Sequence, residues 1–335
     1  MARCRSLVIS AAVLLLTGCA ARHSALDPQG PQAAQLAALI WGFVILCSFV
    51  WLTVMAVLLA ALLRRRAERP DPLARDPQRE RRAWRIVTLA VGATAATVLT
   101  LTGISYVAQR AVSAHEPAAV RIKLVGHQWW WEVRYEDERP DRTFTTANEI
   151  YVPVGEPVTL TLNSTDVIHS FWVPSLAGKR DLIPGQDAEL QFIAARPGVY
   201  RGQCAEYCGW QHAHMGIVVV AVERAAFDAW RERQIAPAAA PHDPERAKGL
   251  AVFLTKACVM CHAVRGTPAG GKVGPDLTHF ASRSTIAAAT LPMSRESIAG
   301  WIADTQGLKP GVHMPQVTLA ADELEPLVAY LAGLQ

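Results

Sequence analysis

GQCAEYCGWQHAHMG, residues 202–216, places Cys204, Glu206, Cys208, His212, His214 and Met215 in one short segment. On both sides of it the chain reads with period two. RIKLVGHQWWWEVRYE, EPVTLTLN, DAELQFIA and GIVVVAVE alternate apolar and polar residues, and turns rich in Pro and Gly (VPVGEP, LIPGQD, ARPGVY) separate them. Residues 118–230 therefore read as a small β-sandwich, with the ligand-rich segment as the loop before its last strand.

Cysteine usage narrows the chemistry. Cys4 lies in the targeting segment, Cys19 ends it, and Cys47 falls inside an apolar span as a small helix- or lipid-facing residue. Two close pairs remain, Cys204 with Cys208 and Cys258 with Cys261. In an oxidising compartment each pair alone suits a disulfide. The neighbours of the first pair favour metal instead, because thiolates, imidazoles and a thioether together select copper over hard cations. A β-sandwich with His, Cys and Met ligands is the blue-copper arrangement, and two cysteines allow two copper ions to share both thiolates.

The spacing Cys204-x-Glu206-x-Cys208-x-x-x-His212-x-x-Met215 resembles the dinuclear copper A loop of cytochrome c oxidase subunit II. That resemblance implies a cupredoxin-like Greek-key sandwich and a second histidine upstream, which DVIHSFWVPSLAGKRDLIPG supplies as His169. It further implies that Cys204 and Cys208 bridge the coppers and that His169 and His212 each bind one. Met215 would be a weak axial ligand, and the carbonyl of Glu206 would cap the other copper. In the family the carboxylate at the position of Glu206 also binds magnesium at the contact with subunit I, a site this chain alone cannot complete. His214 matches no ligand position. Three consecutive tryptophans, Trp129 to Trp131, cannot all face one core from a strand, so at least one points outward. The resemblance makes Trp129 the residue where electrons enter the copper site.

The first third of the chain reads as an anchor. MARCRS, a short apolar run and Leu16-Thr17-Gly18-Cys19 resemble a bacterial lipoprotein signal, residues 1–18, with Cys19 as the lipidated residue. Residues 35–63 and 86–108 are apolar runs long enough to span a bilayer, forming a transmembrane hairpin over 35–110. The loop at 64–85 holds nine arginines against four acids, which places it in the cytoplasm. The rest of the chain then lies on the periplasmic side of a bacterial cytoplasmic membrane. A net charge of +4 with arginines gathered near this loop gives no basis for nucleic-acid binding.

Residues 231–244 read as a Pro/Ala linker, and 245–335 as mostly helical. Cys258-Val259-Met260-Cys261-His262 is a C-x-x-C-H sequence, in which two thiols bond the heme vinyls and the histidine becomes the proximal iron ligand. Lys248-Gly249, GPDLTHF and the Met314-Pro315 pair resemble the first helix, proximal loop and ligand loop of class I cytochromes c. Met314 is the expected distal ligand of heme c, with Met293 as packing at the heme edge. Nearly the whole chain thus resembles subunit II of the oxidases that carry a fused C-terminal cytochrome c. The implied function is to pass electrons from cytochrome c through heme c and copper A to the hemes of subunit I of a proton-translocating oxidase that also contains subunit III. Alternatives are a copper A subunit of a nitric oxide reductase and a lipoprotein subunit of a related terminal oxidase. The ligand residues argue against a quinol oxidase subunit, and the anchor against nitrous oxide reductase.

Overall fold

The computed structural model describes residues 23–63, 76–112 and 116–335. The expected signal at 1–18, Cys19 and residues 64–75 of the expected loop lie outside these. Two compact units separate, one made of Gln35–Ala114, which holds nearly all of the apolar helices, and one made of the chain up to Ala34 together with His115–Gln335.

In the first unit, α1 (Pro31–Leu63) and α2 (Pro77–Val112) have mean hydropathies of 2.7 and 1.7, long and apolar enough to cross a membrane. Their large apolar side chains are exposed, Phe49 and Leu89 among them, so each needs an apolar surrounding. α2 starts well before the apolar run. Residues 77–85, read above as loop, are helical because Asp76 accepts hydrogen bonds from the Gln78 and Arg79 amides and Pro77 occupies the first turn.

The second unit opens with a sandwich of ten strands. β1 (Val120–His127), β2 (Trp130–Glu136), β3 (Phe144–Ala147), β4 (Glu149–Pro153) and β5 (Val158–Ser164) are followed by β6 (His169–Trp172) and β7 (Arg180–Leu182). β8 (Ala188–Phe192), β9 (Gly198–Cys204) and β10 (Gly216–Val222) complete it. One sheet has the order β3-β2-β1-β5-β8 and the other β4-β10-β9-β6-β7, with parallel pairs β1/β5 and β4/β10. Alternation decides what is inside: Ile122, Leu124, Val133 and Leu160 point into the core between the sheets. The stretch 121–136 is not one strand. His127 pairs with Trp130, so the chain reverses at Gln128 and Trp129 and puts Trp129 at a hairpin tip.

After the sandwich, α3 (Arg224–Ile235) buries Phe227, Trp230 and Gln234 from one face. Trp230 stacks on Tyr151 with ring centroids 4.4 Å apart and meets Tyr135 edge-on at 5.2 Å. Residues 231–235, read above as linker, belong to this helix. The remainder is tied down as well: Ala238 N–H donates to the Arg265 carbonyl, and the Arg265 guanidinium donates to the carbonyls of Gln234 and Ile235.

The helical part is built on α4 (Pro244–Thr255) and α8 (Leu324–Leu331), with α5 (Cys258–Cys261), α6 (Arg295–Ala303) and α7 (Thr305–Leu308) between them. A two-residue strand pair, β11 (Thr285–Ile286) with β12 (Leu291–Pro292), precedes α6. Asp243 caps α4 through the Glu245 amide, with Pro244 at its first position. α4 and α8 touch at Gly249, where a Cβ would lie 1.9 Å from the Pro326 carbonyl. Only glycine permits that crossing.

Candidate functional site

β9 buries alternate residues Tyr200, Gly202 and Cys204, so strand geometry turns the Cys204 thiol inward at the strand end. The loop to β10 then delivers Cys208, His212 and Met215. Neighbouring β6, in register with β9 at Phe171 and Cys204, delivers His169. His169 lies flat against β1 because residue 126 is glycine: a Cβ there would meet the imidazole at 2.7 Å.

These residues converge. Cys204 and Cys208 Sγ are 3.8 Å apart, too far for a disulfide and close enough to share cations. His169 Nδ1 is 3.9 Å from Cys204 Sγ, and His212 Nδ1 is 3.6 Å from Cys208 Sγ. Met215 Sδ lies 3.8 Å from Cys208 Sγ, and the Glu206 carbonyl oxygen 3.1 Å from Cys204 Sγ. His169, Cys204 and Cys208 form a group able to hold a metal ion, and all three are buried. His214 is exposed and bonds Gln211 at 2.8 Å. The Glu206 carboxylate lies 3.8 Å from the Lys179 ammonium, away from the sulfurs.

The donor set suits a soft cation. Hydrogen bonding from Cys208, aided by His169, holds the Cys204 thiol down at about 4, while sharing that proton pushes Cys208 up. A cation bound between them would displace the remaining proton. Sequence reading missed Asp166. Its carboxylate sits 2.8 Å from His169 Nε2 and fixes the ring so that Nδ1 faces the sulfurs. Burial opposes the charge on Asp166, but the His169 contact and the amides of Val167 and Gln128 outweigh it and hold the carboxyl at about 2. A carboxylate three residues before a candidate ligand histidine was the signal available.

Trp129 lies over this loop. Its indole N–H donates to the Cys208 carbonyl at 2.9 Å, and the Gln128 amide donates to the same oxygen at 2.8 Å. Trp129 is nevertheless only 8% exposed, because the helical part covers it; its ring centroid is 6.0 Å from that of His313. The outward aromatic expected from the tryptophan run is the half-buried Trp130, stacked on His127 at 4.3 Å, and Trp131 is fully buried.

A cavity of about 360 Å³ runs from Trp129 into the helical part, lined by Cys258, Cys261, His262 and Met314 and walled by apolar side chains such as Phe253 and Leu327. His262 Nδ1 donates to the Pro275 carbonyl at 2.7 Å, which leaves Nε2 as the free ligand atom. Burial lowers the His262 imidazole below its ordinary range and keeps it neutral, as a metal ligand must be. Gly274 packs against that ring, where a Cβ would approach to 2.8 Å. Gln306 Nε2 donates to the carbonyls of Val312 and Met314, both at 2.9 Å, and pins the Met314 loop. Met293 packs on the core of the helical part and is absent from the cavity wall. Arg283 lines the same cavity at 8% exposure, with its Nε buried and unpartnered, so a largely apolar chamber offers a guanidinium to an acid group. Paired thiols, a free imidazole nitrogen, a thioether and a buried guanidinium together fit a covalently held heme with its propionates.

Comparison with known proteins agrees with the geometry. The family described as cytochrome c oxidase subunit II, periplasmic domain, matches residues 138–222, and the cytochrome c family matches residues 246–335. Together they imply copper and heme binding. Cytochrome c oxidase subunit 2 of Alkalihalophilus pseudofirmus is 36% identical over 338 residues, covering 99% of this chain and 97% of that one. The subunit 2 of a Bacillus species (strain PS3) is 32% identical, covering 71% of this chain and 69% of its own. A crystal structure of the periplasmic domain of subunit II of cytochrome oxidase from Bradyrhizobium japonicum aligns with 36% of this chain and 95% of its own, at 34% identity and a TM-score of 0.34. A likeness to the Alkalihalophilus subunit that runs the length of both chains, over two membrane-length helices, a sulfur-rich loop and a C-x-x-C-H cavity, places this chain in the cytochrome c oxidase subunit II family, in the form that carries a cytochrome c domain.

Proposed function

We propose that this chain takes electrons from a cytochrome c and relays them by way of heme c and a dinuclear copper A centre to the hemes of subunit I, where oxygen is reduced to water and protons are translocated. The observation that carries this reading is the sulfur pair: two thiols 3.8 Å apart, each with its own imidazole within 4 Å. Bound copper and heme supply one-electron redox chemistry there. The chain's residues hold those groups and keep their geometry constant. Cys204 and Cys208 would hold two coppers between them, with His169 and His212 as one imidazole ligand for each and Met215 and the Glu206 carbonyl as weaker ligands. A largely buried ligand set held by two strands and a loop changes shape little when one electron is added.

In the helical part, Cys258 and Cys261 would tether the heme, and His262 and Met314 would bind its iron. Trp129 lies between the two centres as the route into the copper loop, supported by its hydrogen bond to the Cys208 carbonyl and its nearness to His313. The Glu206 carboxylate contributes to a magnesium site completed by subunit I. Subunit III is a further partner, and both soluble domains face the periplasm, on the argument that the arginine-rich segment between α1 and α2 stays in the cytoplasm.

The test is Cys208→Ser. The loaded wild-type chain is expected to give the electron paramagnetic resonance signal of one electron shared by two coppers, and the variant to lose it while keeping its heme c spectrum. A shared-electron signal that survives in Cys208→Ser contradicts the ligand assignment.

A further inference from the structure

Lys309 is 2% exposed, and the mechanism above does not use it. Its ammonium donates to the Trp129 carbonyl at 3.0 Å and to the His214 carbonyl at 2.8 Å, both in the sandwich. A third bond, 3.1 Å long, goes to the Ala287 carbonyl in its own helical part. Burying an ammonium is costly unless its donors are satisfied, and here three carbonyls take three N–H groups. Burial still pushes the amine down to about 7.

The second feature is strain at the same place. Ala287, Ala288 and Ala289 have φ of 55°, 58° and 59°, a left-handed turn built from three residues with side chains. Such residues visit this region singly, and a run of them persists only where its surroundings over-determine it. Contacts at the seam do so here. The Ala287 carbonyl accepts from Lys309, the Ala288 carbonyl accepts from the Gly216 N–H at 2.9 Å, and the Ala289 carbonyl accepts from Arg201 at 2.9 Å. Gly216 leaves room for the turn, since a Cβ on it would lie 3.0 Å from the Ala289 Cβ. Gln211 adds a bond to the Pro310 carbonyl at 2.7 Å.

We infer that Lys309 and the Ala287–Ala289 turn are positioning residues that latch the cytochrome domain onto the copper loop, so that electrons cross from one fixed arrangement through Trp129 instead of waiting for a tethered domain to swing into contact. The inference rests on the proposed function for its chemistry and on the seam for its geometry. Most of what the latch grips in the sandwich belongs to the metal loop or adjoins it: His214 precedes Met215, Gly216 follows it, and Trp129 itself holds the Cys208 carbonyl, while Arg201 lies on β9 three residues before Cys204. The latch also covers Trp129, so a soluble donor would deliver its electron to the cytochrome domain and not to the copper loop.

The experiment follows electron transfer from photoreduced heme c to copper in the purified holoenzyme as solvent viscosity is raised. A latched domain gives one exponential phase whose rate does not change with viscosity. Lys309→Met keeps an unbranched stem, one heavy atom shorter, and removes all three donors. It should slow the transfer by about tenfold or more, because misplacement of reacting groups is heavily penalised, and make it viscosity-dependent while the copper spectrum stays as in wild type. Viscosity dependence in wild type, or Lys309→Met behaving as wild type, overturns the latch. Amide hydrogen exchange on the unaltered protein gives a readout that needs no variant: Gly216 N–H should exchange as slowly as the core of the sandwich, and exchange at the rate of an exposed amide overturns the latch. Absence of a copper signal from wild type would contradict the proposed function instead, and slow exchange at Gly216 would still support the latch.

Discussion

Asp166 shows what single residues contribute beyond the ligands. Its carboxylate bonds the far side of the His169 ring and accepts two backbone amides, so it sets the ring's orientation and tautomer. Asp166→Asn should weaken copper retention by about 10–100-fold, the usual cost of losing such a partner; competition against a chelator measures it, with the heme spectrum as internal control. Trp129→Phe removes the indole donor to the Cys208 carbonyl and leaves an aromatic ring in the seam. Transfer between the centres should slow with copper content unchanged, and an unaltered rate would mean that the hydrogen bond is no part of the route. Among the methionines, Met314→Ala should abolish the far-red methionine-to-iron band, and Met293→Ala should keep it. The candidate ligands were legible in the sequence because their spacing is itself the signature, and the fold brings them within 4 Å of one another in pairs. Asp166, Lys309 and Arg283 were not: Lys309 grips carbonyls distant along the chain, Arg283 matters through a cavity only the fold builds, and Asp166, three residues before His169, belongs to no spacing signature.

Secondary elements account for most of what the sequence predicted correctly and for its clearest miss. Period-two alternation identified the sandwich, and apolar length identified the two long helices. The hairpin tip at Gln128 and Trp129 escaped because it contains no Gly or Pro, and alternation continues across it on paper. Residues 231–244 looked extended for a similar reason: their composition is that of a linker, yet Arg265 and His279 take up the backbone carbonyls at 234–236. At the crossing of α4 and α8, Gly249 is the element-scale determinant. Gly249→Val should cost at least about 1–3 kcal/mol, as overpacking does, because its first added carbon meets a backbone carbonyl that cannot step aside. A thermal melt of the holoprotein followed at the heme absorption should fall by several degrees, and an unchanged melt would mean that the helices part more easily than their packing implies.

For the whole molecule, the order of the parts was readable from the chain: membrane helices, sandwich, then cytochrome domain. How the last two meet was not, because that seam is written in backbone carbonyls and in one buried lysine, neither of which leaves a pattern in sequence. Membership of the subunit II family makes the chain a membrane-anchored partner of other oxidase subunits. The account's central claim is that this one polypeptide holds a copper pair and a heme side by side. Metal and heme analysis of the purified loaded chain, read together with its electron paramagnetic resonance spectrum, tests that claim most directly. The account predicts about two coppers for each covalently bound heme, as bridging by two thiolates requires, and a spectrum of one electron spread over both coppers. One copper per heme with a localised spectrum, or a Cys204–Cys208 disulfide without copper, would contradict it.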